Sequence, residues 1–244
     1  MREIHDHFFH KAKSEGFLAR SAYKLIEIDD RKRLLRPGHW VLDCGAAPGS
    51  WMQVAAQRVA PQGVVVGFDL KSITHNFNTK SAHSFVADIN TIDPRELLAI
   101  AHELAHPGQI LPTHPRRFDV VLSDMAPNTS GDHSSDHHNS VRLCRAVLNL
   151  ASQVLKPAGS LAMKVFEGEA YMDLVRDTAK LFTEAKGYKP TASRNESREM
   201  YIIATGFKPQ NTAALDRNPN LPPPKPKPTP GWNKSPSPSG EGLG

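Results

Sequence analysis

The chain has 244 residues, 39% hydrophobic and 23% charged, and carries a formal charge of +5. This balance suits one large domain, or one domain plus a tail, and leaves room for an anionic partner such as nucleic acid. Two cysteines cannot build a disulfide framework or a four-thiolate zinc site, no apolar run approaches the ~20 residues of a membrane span, and the His-rich start lacks a secretory apolar segment, which sets aside secreted mini-proteins, zinc ribbons and membrane proteins.

The first predicted element is a helix over 21–28, carrying Lys24. Short apolar runs then recur at 39–44, 63–68, 84–87, 118–123, 160–166 and 199–205. They are β-branched and nearly continuous, as strands buried on both faces are. Helical patterns separate them at 51–59, 141–155 and 171–185. The second of these places Val141, Cys144, Leu148, Ala151 and Leu155 on one stripe and stops at Lys156-Pro157. Alternating strands and helices predict an open α/β sheet over residues 1–208. From Pro209 to Gly244 the text turns to Pro, Ser, Gly and Lys, which predicts a disordered basic tail.

In open α/β sheets ligands bind beyond the carboxyl ends of the strands. The first such turn reads Asp43-Cys44-Gly45-Ala46-Ala47-Pro48-Gly49-Ser50-Trp51. A dinucleotide site would want G-x-G-x-x-G, but Ala47 replaces the second glycine and Pro48 removes an N–H, so a nicotinamide oxidoreductase is disfavoured. Asp69 closes the second run, where a carboxylate accepts from ribose hydroxyls, and Asp88 closes the third. A nucleoside cofactor without a pyrophosphate points to S-adenosylmethionine.

Four further residues need an explanation. Asp124 follows the fourth run, Lys164 interrupts the apolar fifth, Glu199 opens the last, and Lys24 lies on the first helix. Lysine is almost never buried without a reason, and burial makes an amine readier to give up its proton. If the last strand runs antiparallel beside the fifth, Glu199 starts at the edge where Asp124 and Lys164 end.

The stretches Arg20 to Leu25, Asp43 to Trp51, Ser123 to Asn128, Lys164 to Gly168 and Ser197 to Tyr201 together resemble the FtsJ/RrmJ ribose 2′-O-methyltransferases. The resemblance implies a three-layer, Rossmann-like class I methyltransferase fold, its seven-stranded sheet having an antiparallel last strand. It implies a Lys-Asp-Lys-Glu tetrad at Lys24, Asp124, Lys164 and Glu199. It implies S-adenosylmethionine contacts at Gly49, Trp51, Asp69, Asp88 and Asp124, and no metal. Ser50 and Cys44 depart from the family's usual Gly and Leu, and the His-rich loop at 131–138 is less typical. The segment Met125-Ala126-Pro127-Asn128 looks like the ribosomal branch, so the implied substrate is a uridine of large-subunit rRNA, within a ribosomal particle. A tRNA methyltransferase and a non-catalytic assembly factor are the alternatives. Lys11, Lys13, Arg20, Lys24, Arg31, Lys32, Arg33 and Arg36 predict a phosphate-contacting surface around the helix that carries Lys24. His5, His7, His10, His133 and His137 are read as exposed histidines rather than metal ligands, and Cys44 and Cys144 as core residues. A monomer in the bacterial cytoplasm is the expectation.

Overall fold

The computed structural model describes residues 10–77, 79–192 and 197–209. The tail expected over 209–244 lies outside them, apart from Pro209. Among the described residues, five helices of eight or more residues alternate with seven strands: α1 (Ala22–Lys32), β1 (Trp40–Cys44), α2 (Ser50–Val59), β2 (Val64–Asp69), β3 (Ala82–Val86), α3 (Pro94–Ala105), β4 (Phe118–Ser123), α4 (His133–Val154), β5 (Leu155–Phe166), α5 (Tyr171–Leu181), β6 (Phe182–Tyr188) and β7 (Glu199–Phe207). They form one sheet in the order β3-β2-β1-β4-β5-β7-β6. β7 runs antiparallel to both its neighbours, as expected.

Three layers follow from where the apolar side chains go. Leu42 and Cys44 of β1 point into a core shared with α3, α4 and α5, whereas Val41 points into a second core with α1 and α2. Every residue of β1 and β4 is buried, which is what their unbroken apolar runs demand. Gly67 of β2 has no side chain for a packing reason: a Cβ there would collide with Met52 Sδ and Ala46 Cβ. That vacancy lets α2 and its preceding turn lie close on the sheet, which fixes the turn over β1.

Several boundaries depart from the sequence reading. α5 stops at Leu181, and the next seven residues form the edge strand β6 rather than a last helical turn. β5 starts at Leu155, not Ser160, and its register on β4 shifts between Phe118 and Val120. Helix α3, which the sequence reading passed over, carries its own start signal. Asp93 accepts from the Arg95 N–H at 2.8 Å and Pro94 occupies the first turn. The histidine-rich segment expected to be a loop is helical from His133 on, because Asp132 caps it through the Ser135 N–H at 2.9 Å.

Candidate active site

Strand polarity gathers the chemistry-bearing residues at one edge. β1, β2, β4 and β5 end there, and β7 begins there. Antiparallel pairing sets Phe166 opposite Glu199 and Lys164 opposite Tyr201, so the register of β7 decides which side chains meet.

Two ion pairs result. Lys24 Nζ donates to Glu199 Oε2 at 2.6 Å, joining α1 to β7. Lys164 Nζ lies 3.0 Å from Asp124 Oδ1 and donates to the Asp124 carbonyl at 2.6 Å. Both lysines are buried, at 5% and 8% exposure, so neither is a solvated rim residue. Burial disfavours the Glu199 anion, yet Lys24 and then Lys164, with the Ser197 hydroxyl, hold its carboxyl below the usual range. The two pairs therefore form one electrostatic unit. The sequence reading grouped Lys24 with the basic residues around its helix. The structure separates it from Lys11, Lys13, Arg31, Lys32, Arg33 and Arg36, which are exposed.

Tyr201 is a member that sequence reasoning missed. Its hydroxyl donates to Asp124 Oδ1 at 2.7 Å, and its ring stacks on Trp51 with centroids 5.8 Å apart. Burial, then Asp124 and Glu199, push its phenol well above its ordinary value. Trp51 in turn donates from Nε1 to the Ser21 carbonyl at 2.9 Å, tying α2 to the start of α1.

The turn after β1 is built for close approach. Gly45 and Gly49 have φ of 76° and 110°, which L side chains rarely adopt. A Cβ on Gly49 would come within 3.0–3.2 Å of Leu18, Phe77 and Ile73. Asp69 Oδ2 accepts from the Ala47 N–H at 3.0 Å and Oδ1 from the Lys71 N–H at 2.9 Å, so it braces the turn from β2. Asp88 holds Asn90 through both its backbone and side-chain nitrogens, at 2.9 and 2.7 Å. It stands at the far end of the edge, beyond β3.

A second omission is Asp43. It is fully buried at the end of β1, and neither carboxylate oxygen has a hydrogen-bond partner among the described residues. Burial, then the charges of Asp124 and Asp69, push its carboxyl well above the usual carboxylate range.

Supporting contacts fix β5 and the loop after it. His137 is buried on α4, not exposed as the sequence reading had it. Its Nε2 accepts from the Ala170 N–H at 3.0 Å, which leaves Nδ1 to donate to the Phe166 carbonyl at 2.8 Å. Cys144 donates to the Lys164 carbonyl at 3.0 Å, and burial pushes its thiol up to about 12. Cys44 is buried as well. Among the described residues no helix is long and apolar enough to cross a membrane.

Residues 17–207 match the FtsJ-like methyltransferase family. A protein of Syntrophobacter fumaroxidans named ribosomal RNA large subunit methyltransferase E is 42% identical over 82% of this chain and 94% of its own. One of the same name from the archaeon Methanothrix thermoacetophila is 41% identical over 83% of this chain and 72% of its own. A solved structure described as a ribosomal RNA methyltransferase of Plasmodium falciparum superposes with a TM-score of 0.65 at 25% identity, over 78% of this chain and 98% of that one.

Proposed function

Because the chain belongs to the FtsJ-like methyltransferase family, we propose that it methylates a ribose 2′-hydroxyl of large-subunit ribosomal RNA, at a uridine, with S-adenosylmethionine as donor. The observation that carries this reading is the joined pair of ion pairs, Lys24–Glu199 and Lys164–Asp124, beside the glycine turn. The residues present suit the cofactor. Gly49 gives the turn a backbone conformation that L side chains rarely adopt, the edge offers strand-end carboxylates, and Asp43 has unmet polar capacity suited to a cation. Asp69 would accept from the ribose hydroxyls, Asp88 would meet the adenine, Gly49 and Trp51 would line the turn, and Asp124 would face the methionyl end. When bound, the cofactor supplies an electrophilic methyl group.

The protein's part is aim and proton control. A ribose hydroxyl is a weak nucleophile and must be held in line and relieved of its proton. Lys164 Nζ has three donor positions, and two are directed at Asp124. The third is left for the 2′-oxygen, which orients its lone pair. With all three N–H bonds so used the ammonium has no lone pair, so the hydroxyl proton leaves to solvent. Glu199 fixes Lys24, and Tyr201 fixes Asp124. The exposed Lys11, Lys13, Arg31, Lys32, Arg33 and Arg36 lie on or beside α1 and would neutralise RNA phosphates.

The test is transfer of labelled methyl from S-adenosylmethionine to large ribosomal subunits, with tRNA and poly-RNA alongside, using wild type and Lys164→Ala. A 2′-O-methyl group protects the neighbouring phosphodiester from alkali. The expected product is therefore label in alkali-stable dinucleotides of the subunit RNA, lost in the variant. Label in tRNA would replace the substrate, and full activity of Lys164→Ala would overturn the residue assignment.

A further inference from the structure

Asp43 plays no part in the chemistry above, yet no other carboxyl at this edge is so exposed to penalty. It lies on the same face of β1 as Val41, between Gly67 of β2 and Leu122 of β4. Both its oxygens are buried and unpartnered among the described residues. The charged groups acting on it are Asp124 at the end of β4 and Asp69 at the end of β2, both acidic. Its chain neighbour Cys44 is a buried thiol. The turn and the start of α2, from Gly45 to Val54, carry no charge. Lys164 is committed to Asp124, and Lys24 to Glu199. Three carboxyls thus end three adjacent strands with only one of them answered by an ammonium. Like charges so placed cannot all ionise without cost, and the group that is buried without hydrogen bonds is the one that keeps a proton. A cation arriving at the edge reverses that balance.

We propose that Asp43 reads the charge of the bound methyl donor: it holds a proton in the free protein, releases it to solvent when the sulfonium cofactor binds, and keeps it when the neutral thioether product binds. This rests on the S-adenosylmethionine reading above. The cofactor and S-adenosylhomocysteine both carry the amino-acid ammonium and carboxylate and differ in the sulfonium charge, so a difference between them isolates that charge. Asp43 is then a specificity-determining residue. It favours donor over spent product and so assists turnover.

The experiment is titration calorimetry of the wild-type protein with each ligand, near pH 6, in buffers of different ionisation heat. We expect the donor to release more protons than the product, by a difference approaching one per site. Donor affinity should rise with pH by up to about tenfold per unit while product affinity stays flat. Asp43→Asn should abolish the proton difference and reduce the donor-to-product affinity ratio by about tenfold or more. Infrared difference spectra of the wild type supply a second readout, the loss of a protonated-carboxyl band with donor and not with product. Equal proton release for both ligands in the wild type, or a difference that survives in Asp43→Asn, overturns the proposal. Failure of the donor to bind at all would instead overturn the cofactor reading.

Discussion

Asp119 and Asp43 sit at opposite edges of the same sheet, and both are almost inaccessible, at 3% and 0% exposure. Their company differs. Asp119, at the start of β4, accepts from the Trp40 N–H at 2.7 Å, from Arg116 at 2.9 Å and from Lys156 at 2.5 Å. Burial opposes its charge, but Lys156, Trp40 and Arg116 together hold its carboxyl below the usual range. Asp43, at the end of β1, has none of these partners. A buried carboxylate with every oxygen answered staples strands together. One with none lowers stability, and its persistence needs a reason outside the fold. The amino-terminal edge is therefore the structural edge, and the carboxyl-terminal edge carries the proposed site.

The contrast is sharpest at Lys164. Replacing it with Ala should lower methyl transfer by about 10²–10⁴-fold, with the folded content by circular dichroism unchanged. Asp119→Ala should do the reverse. Lys156 and Arg116 are half exposed and regain water, but the buried Trp40 N–H is left unpaired, so the change should cost about 1–3 kcal/mol in chemical denaturation while turnover per folded molecule holds. The sign with pH follows from its lowered carboxyl. Its stabilisation is present above the unfolded value and is lost as pH falls through the folded one, so the variant should show a shallower acid limb. Asp43→Asn should move stability the other way, upward at neutral pH. Its raised carboxyl favours the fold fully below the unfolded value and loses that advantage as pH rises towards the folded one; thermal melts across that window should flatten in the variant. A destabilised Asp43→Asn protein would break the comparison. Arg116→Ala is the smallest change. Arg116 lies over the Trp40 ring at 4.8 Å but is half exposed, so about 1 kcal/mol is expected, with no effect on transfer.

The sheet was legible because its central strands are buried on both faces and read as unbroken apolar text. β6 was not. Phe182-Thr183-Glu184-Ala185-Lys186-Gly187-Tyr188 is an edge strand with mostly exposed polar positions, and its residues continue the helical pattern of α5. Strand formation there is decided by pairing with β7, which is a tertiary fact. At the site, Asp124, Lys164 and Glu199 stood out because charge interrupts or bounds apolar runs, and Lys24 through the family resemblance. The structure adds their pairing, with Lys24 on Glu199 and Lys164 on Asp124. Tyr201 and Asp43 did not stand out. A tyrosine in a strand is ordinary, and nothing in the letters around Asp43 says that its oxygens find no partner. His137 was misjudged for a related reason. Its neighbours His133, Ser134, Ser135 and Asp136 read as a polar loop, and only the cap at Asp132 turns them into a helix whose inner face carries His137.

The Lys24–Glu199 pair joins residues separated by 175 positions. The glycine turn, by contrast, is complete once β2 has formed. During synthesis the amino-terminal part of the domain can collapse early, but β7 must still insert between β5 and β6 before the Lys24–Glu199 pair exists. Such non-local closure is slow relative to helix and hairpin formation. The nascent chain thus contains every proposed cofactor contact, from Gly49 to Asp124, before Glu199 completes the proposed tetrad.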